Sequence, residues 1–137
     1  GYAFSGHPIG AAVAMANLDI LENEKLVENA ADVGAYFHEQ LNSRFANDPF
    51  VAEVRGVGMI AAVQLVKDKD SKEFFNKEAT IAPLVTKKCY ENGLVARPLP
   101  SLDSIAFSPP LICTRKDIDN IVDRFDQSVR AVMRTAL

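Results

Sequence analysis

The side chain best placed to do chemistry in this sequence is Arg97. A helix-like segment ends at Asn92-Gly93, and the short apolar run Leu94 to Ala96 then reads as a strand. Arg97 closes that run and is followed at once by Pro98; the run Ile105-Ala106-Phe107 and then Ser108-Pro109-Pro110 come next. A cation at the mouth of a strand is a poor core residue. It suits a carboxylate clamp, because the guanidinium is a planar, bidentate donor fork. The competing reading is an arginine that snorkels to water or pairs with a local acid.

The other candidates are weaker. Arg55 precedes Gly56-Val57-Gly58, where two glycines in three residues mark a tight turn or bulge approached by other backbone. Arg55 can reach a carboxylate or phosphate, but such an arginine more often satisfies backbone carbonyls or a surface acid. His7 lies between Gly6 and Pro8 and reads as a shaper of a helix start. His38 sits among polar residues in a helical stretch and reads as a surface residue. Ser5-Gly6-His7-Pro8 opens a helix whose free N–H groups can hold an anion. No His or carboxylate spacing suggests a metal, and no glycine-rich Lys-Ser phosphate loop appears. Cys89 and Cys113 lie far apart in apolar contexts and read as reduced, buried thiols.

The elements that must position these residues follow from periodicity. Pro8 suits the first turn of a helix, and Ile9, Val13, Ala16, Ile20 and Leu21 recur at helical spacing. This helix is apolar nearly all round and calls for burial on several sides, against another helix or subunit. A second helix runs from about Glu24 to Phe45 and ends at Asn47-Asp48-Pro49. Phe50 to Arg55 and Met59 to Val66 are β-prone and joined by Gly56-Val57-Gly58. Lys67 to Glu73 is a solvated linker, and Glu78 to Tyr90 is helical with Ile81, Leu84, Val85, Lys88 and Cys89 on one side. The Arg97 strand and Ile105-Ala106-Phe107 can pair as a hairpin. The last helix has Thr114 as N-cap with Asp117 at capping-box distance. The order predicts an α+β fold: a small, mostly antiparallel sheet with helices on one face.

Bulk composition agrees with such a domain. The 137 residues are 48% hydrophobic and 24% charged, enough for one ordinary core. A formal net charge of -3 without a basic tract gives no reason to expect nucleic acid or an anionic membrane as partner. No apolar run has the length of a bilayer span, and no signal-peptide pattern opens the chain. The absence of an initiator Met and the dense turn motif at residue 1 read as a piece of something longer.

Four linked segments carry a family resemblance: the opening Gly1-Tyr2-Ala3-Phe4-Ser5-Gly6-His7-Pro8 with the small apolar run after it, Glu53-Val54-Arg55-Gly56-Val57-Gly58-Met59, Asn92-Gly93-Leu94-Val95-Ala96-Arg97-Pro98-Leu99, and Phe107-Ser108-Pro109-Pro110-Leu111. Together they resemble the C-terminal part of class III, pyridoxal-phosphate-dependent aminotransferases, in particular the omega-transaminase or amine–pyruvate group. The resemblance implies the C-terminal small domain of a fold-type I enzyme. Residues 1–21 would end the large cofactor domain and include the linking helix, and residues 22–137 would form the small domain. It implies a cytoplasmic homodimer or higher homo-oligomer with no nucleic-acid or membrane partner, which moves an amino group from an amine or omega-amino acid to pyruvate or another keto acid. Ornithine, 4-aminobutyrate and diamine types are alternatives within the class. A non-catalytic dimerisation or binding module is the alternative outside it.

The resemblance also implies residue roles. Arg97 matches the arginine that binds the carboxylate of the keto or amino acid and swings away for apolar amines. Tyr2 and Ala3 match the segment that reaches the cofactor phosphate of the neighbouring subunit. The family usually has Thr where this chain has Ala3, which removes a hydroxyl donor and leaves backbone N–H groups, or Ser5, to substitute. Arg55 to Gly58 reads as a turn that places the strands. The Schiff-base lysine and the acid that pairs the pyridine nitrogen lie upstream of these motifs in the family. The lysines present all look surface-placed, so the chain as given is expected not to transaminate and to offer no catalytic residue.

Overall fold

The computed structural model describes residues 5–100 and 102–136. The element order is α1 (Pro8–Asn23), α2 (Leu26–Phe45), β1 (Val51–Val57), β2 (Ile60–Leu65), α3 (Ile81–Glu91), β3 (Arg97–Pro98), β4 (Ser104–Phe107) and α4 (Arg115–Ala136), with a 3-10 turn at Lys77–Ala79. The four strands form one antiparallel sheet in the order β1-β2-β4-β3. The expected α+β architecture is therefore found, with every strand pair antiparallel.

Helix α2 forms because its apolar residues recur every fourth position: Val33, Phe37, Leu41 and Phe45 are all buried. Helix α4 does the same with Ile118, Val122, Phe125, Val129 and Met133. Its start is the expected capping box. Thr114 N donates to Asp117 Oδ2 at 2.9 Å, and Asp117 N donates back to Thr114 Oγ1 at 3.3 Å. These helices and α3 share a core with alternate residues of the central strands, Ala61, Val63 and Leu65 of β2 and Ile105 and Phe107 of β4. Phe107 packs edge-on against both Phe37 and Phe125, with ring centroids 6.1 and 4.9 Å away.

Helix α1 stands apart. Pro8 occupies its first turn as expected, but none of its residues is buried. Ile9, Val13, Met15, Leu18 and Ile20 are all exposed, so nothing among the described residues covers this apolar surface.

Several local expectations are corrected. Gly56 and Val57 belong to β1, and the β1–β2 turn is Gly58-Met59, since Val57 pairs with Ile60. Helix α2 begins at Leu26, because Lys25 adopts a left-handed φ of 52° that breaks the chain from α1. Leu84 is exposed on α3, which buries Ile81, Ala82, Val85, Thr86 and Cys89. Cys113 is only half-buried, and both cysteines are free thiols. His38 is half-buried and donates from Nε2 to the Gly58 carbonyl at 3.2 Å.

The largest correction concerns the run before Arg97. Leu94 to Ala96 joins no ladder, and the strand consists of Arg97 and Pro98 alone. Leu94 is buried, but Val95 is 82% exposed, so the three apolar residues do not face one core as a buried strand would. The two-residue edge strand tolerates its proline for a geometric reason. Leu99 N donates to Ser104 O at 2.8 Å, so positions 97 and 99 turn their N–H groups toward β4. The donor missing from Pro98 falls on the outward edge.

Candidate functional site

The helices cover one face of the sheet; the other carries most of the polar side chains of the strands. Arg97 pairs with Ala106, Ala106 with Ala62, and Ala62 with Arg55. These four positions form one cross-strand row, and side chains in such a row share a face. The row has an arginine at each end and two alanines between. At strand spacing its outer Cα atoms lie roughly 14 Å apart.

The two arginines differ in what holds them. Arg55 donates from Nη1 to Glu53 at 2.6 Å and from Nη2 to Ser104 Oγ at 3.0 Å, which is the surface-acid role that competed with ligand binding. Arg97 is exposed and makes no ion pair or side-chain hydrogen bond among the described residues. It borders a concavity of about 390 Å³ whose walls include Val95, Ala96, Ala106, Pro109, Pro110 and Ile121. An unpaired guanidinium on the rim of a mostly apolar hollow can take a carboxylate in its fork while the hollow receives the rest of a small organic acid.

Of the other residues singled out, Tyr2 and Ala3 lie outside the described residues. His7 takes the position just before α1 without a side-chain cap; its carbonyl accepts from Ala11 N at 3.0 Å. Neither His7 nor His38 borders the Arg97 hollow. Among the described residues, no group of His, Cys, Asp and Glu could hold a metal ion, and no helix is long and apolar enough to cross a membrane. Sequence reasoning missed Gln64 and Ser104, which are buried on the polar face; the one available signal was a lone glutamine inside the apolar run of β2.

The family model for class-III aminotransferases matches residues 1–129. The chain belongs to the class-III aminotransferase family. It is 46% identical to an uncharacterised aminotransferase of Sinorhizobium fredii, over 97% of this chain and 28% of the relative. It is 40% identical to the diaminobutyrate–2-oxoglutarate transaminase of Halomonas elongata, over 96% of this chain and 28% of that enzyme. Among solved structures, a thermostable omega transaminase from Pseudomonas jessenii superimposes with a TM-score of 0.91 at 38% identity, over 99% of this chain and 30% of that one. This aminotransferase chain thus spans under a third of the length of the relatives it matches.

Class-III aminotransferases use pyridoxal phosphate, which needs an amine for a Schiff base and a cradle for its phosphate. The lysine side chains that are described are paired or exposed. Lys67 pairs with Glu73, Lys88 pairs with Glu91, and Lys69 donates to the Ala46 carbonyl. Lys25, Lys72, Lys87 and Lys116 are exposed. None of these lysines lines the Arg97 hollow. Arg97 remains the one cation on the rim of that hollow among the described residues.

Proposed function

We propose that this chain is the carboxylate-binding, small-domain part of an aminotransferase that moves an amino group from an amine or omega-amino acid to pyruvate or another keto acid. The observation that carries the reading is the contrast within one row: Arg55 is tied down on both sides, whereas Arg97 stands unpaired on the rim of an apolar hollow. The cofactor supplies the electron sink for the reaction when bound. The chain's own contribution is recognition. Arg97 binds the carboxylate in two parallel hydrogen bonds and so orients the rest of the acid, while the apolar walls exclude water around it.

Residues 1–21 form the end of the large domain and the linking helix, and residues 22–137 form the small domain. The bare apolar surface of α1 supports this division, since a linking helix would be covered by the large domain and a second subunit. The assembly is a cytoplasmic homodimer or higher homo-oligomer, in which Tyr2 and Ala3 contribute to cofactor binding. The 137 residues alone do not transaminate, because the lysines described are paired or solvated. The putrescine–pyruvate aminotransferase of Pseudomonas aeruginosa is a relative at 36% identity, and it favours a diamine donor as the second reading.

Arg97→Ala in the complete enzyme tests the proposal. Loss of a charged, bidentate hydrogen bond should lower kcat/KM for pyruvate by about 10- to 100-fold, with a much smaller change for a small carboxylate-free aldehyde acceptor. Equal losses on both acceptors would refute it.

A further inference from the structure

We infer that Gln64 and Ser104 are positioning residues for Arg97, acting through the start of β4, which pairs with β3; the inference rests on the reading of Arg97 as a carboxylate clamp. Little holds Arg97 directly. Its strand is two residues long, lies at the sheet edge and, among the described residues, has β4 as its only strand neighbour. The placement of the guanidinium therefore depends on the hairpin as a unit.

That hairpin turns through an unfavourable backbone. Leu102 and Asp103 are consecutive non-glycine residues in the left-handed region, with φ of 56° and 46°. Such a pair persists only where the surroundings over-determine it. Gln64 supplies much of that determination. It lies opposite Ser104 in the β2–β4 register. Its Nε2 donates to the Leu102 carbonyl, and its Oε1 accepts from Ser104 Oγ at 2.5 Å. Ser104 Oγ in turn accepts from Arg55 Nη2 at 3.0 Å, and Arg55 is held by Glu53. The chain of hydrogen bonds thus crosses the polar face from β1 to the tip of the hairpin that carries Arg97.

Gln64 is 7% exposed and Ser104 2%. Groups buried this deeply cannot exchange a lost partner for water, so removing one end leaves the other unsatisfied. Asp103 fixes the same turn from its far side. Its Oδ1 accepts from Ala82 N at 2.8 Å, in the first turn of α3, and its carbonyl accepts from Leu65 N at 3.1 Å. With Asp103 pinned, loss of the Gln64 bonds would loosen Leu102 and Ser104, and Ser104 is the residue whose carbonyl accepts from Leu99 N at 2.8 Å just beyond β3.

The test is a double-mutant cycle in the complete holoenzyme, read as kcat/KM for pyruvate relative to kcat/KM for a carboxylate-free aldehyde. Gln64→Met keeps the volume and removes all three side-chain hydrogen bonds, including the one Nε2 donates to the Leu65 carbonyl at 2.9 Å. It should lower the ratio about tenfold when Arg97 is present and leave it unchanged in the Arg97→Ala background. Ser104→Ala should show the same dependence on Arg97 and carries the test should the Gln64 variant not fold; Ser104→Thr, which restores the hydroxyl, should recover the ratio. A Gln64→Met or Ser104→Ala effect that persists undiminished without Arg97, or no effect on the ratio at all, would overturn the inference while a selective Arg97→Ala loss left the clamp intact. A non-selective Arg97→Ala loss would overturn both.

Discussion

Arg55 and Arg97 occupy the two ends of a single cross-strand row, joined through Ala62 and Ala106, yet among the described residues only the Arg55 guanidinium has side-chain partners. Glu53 and Ser104 take up the Arg55 guanidinium, and its charge is spent within the sheet. No acid pairs with Arg97 among the described residues, and the alanines between the two leave the ground beside it low and open. Neither strand position nor residue type decides which arginine is available to a ligand. Local hydrogen bonding does.

Helix α2 meets the β1–β2 turn at Gly34, where an added Cβ would lie 2.5 Å from the Gly58 carbonyl carbon and 2.6 Å from its Cα. Gly34→Ala should therefore destabilise the chain by about 1–3 kcal/mol, despite the higher helix propensity of alanine. Gly10→Ala is the control: its Cβ would meet only the His7 Cβ at 3.9 Å, so it should be neutral or stabilise by up to about 1 kcal/mol. Urea unfolding of the two variants measures the difference.

The start of α4 should give an acid-sensitive share of stability. The backbone N–H and hydroxyl of Thr114 hold the Asp117 carboxyl below its ordinary value. A depressed folded value means that this share is fully present above the ordinary aspartate range and lost as pH falls through the folded value. Thr114→Ala should cost about 1 kcal/mol near neutral pH, and the gap between variant and native chain should narrow in acid. Thermal melts from neutral pH down to about pH 3, below the ordinary aspartate pKa, check both the size and the trend.

The two thiols should separate by reactivity. Burial pushes Cys89 up, partly opposed by a hydrogen bond from Ser128, and burial with the nearby Asp117 pushes Cys113 up. Both are poor nucleophiles at neutral pH. Cys113 retains some access, whereas Cys89 is fully covered. Maleimide should label one thiol of the 137-residue chain slowly in the native state and two in urea; rapid native labelling of both would contradict this packing.

The parts of this fold legible in the sequence are those set by near neighbours. The fourfold spacing of α2, the buried stripe of α4 and the Thr114–Asp117 box are all local, and each appears where expected. The run Leu94 to Ala96 misled because apolar character cannot tell a strand from an extended segment with one buried residue; only pairing with Ala106 and Ile105 marks where β3 begins. His38 misled in the same way, since its partner Gly58 is twenty positions on. Arg97 stood out as a strand-end cation. Its lack of a partner, and the Gln64–Ser104 link across 40 positions, depend on register, which no local pattern fixes.

The most direct test of the clamp separates the two half-reactions of the complete enzyme carrying Arg97→Ala. With a carboxylate-free amine donor, the half-reaction that consumes the amine should keep its native rate, because that donor has nothing for the guanidinium to bind. The half-reaction that consumes pyruvate should slow by about 10- to 100-fold at subsaturating pyruvate. A pyruvate half-reaction at native rate, or an equal slowing of both, would contradict the account.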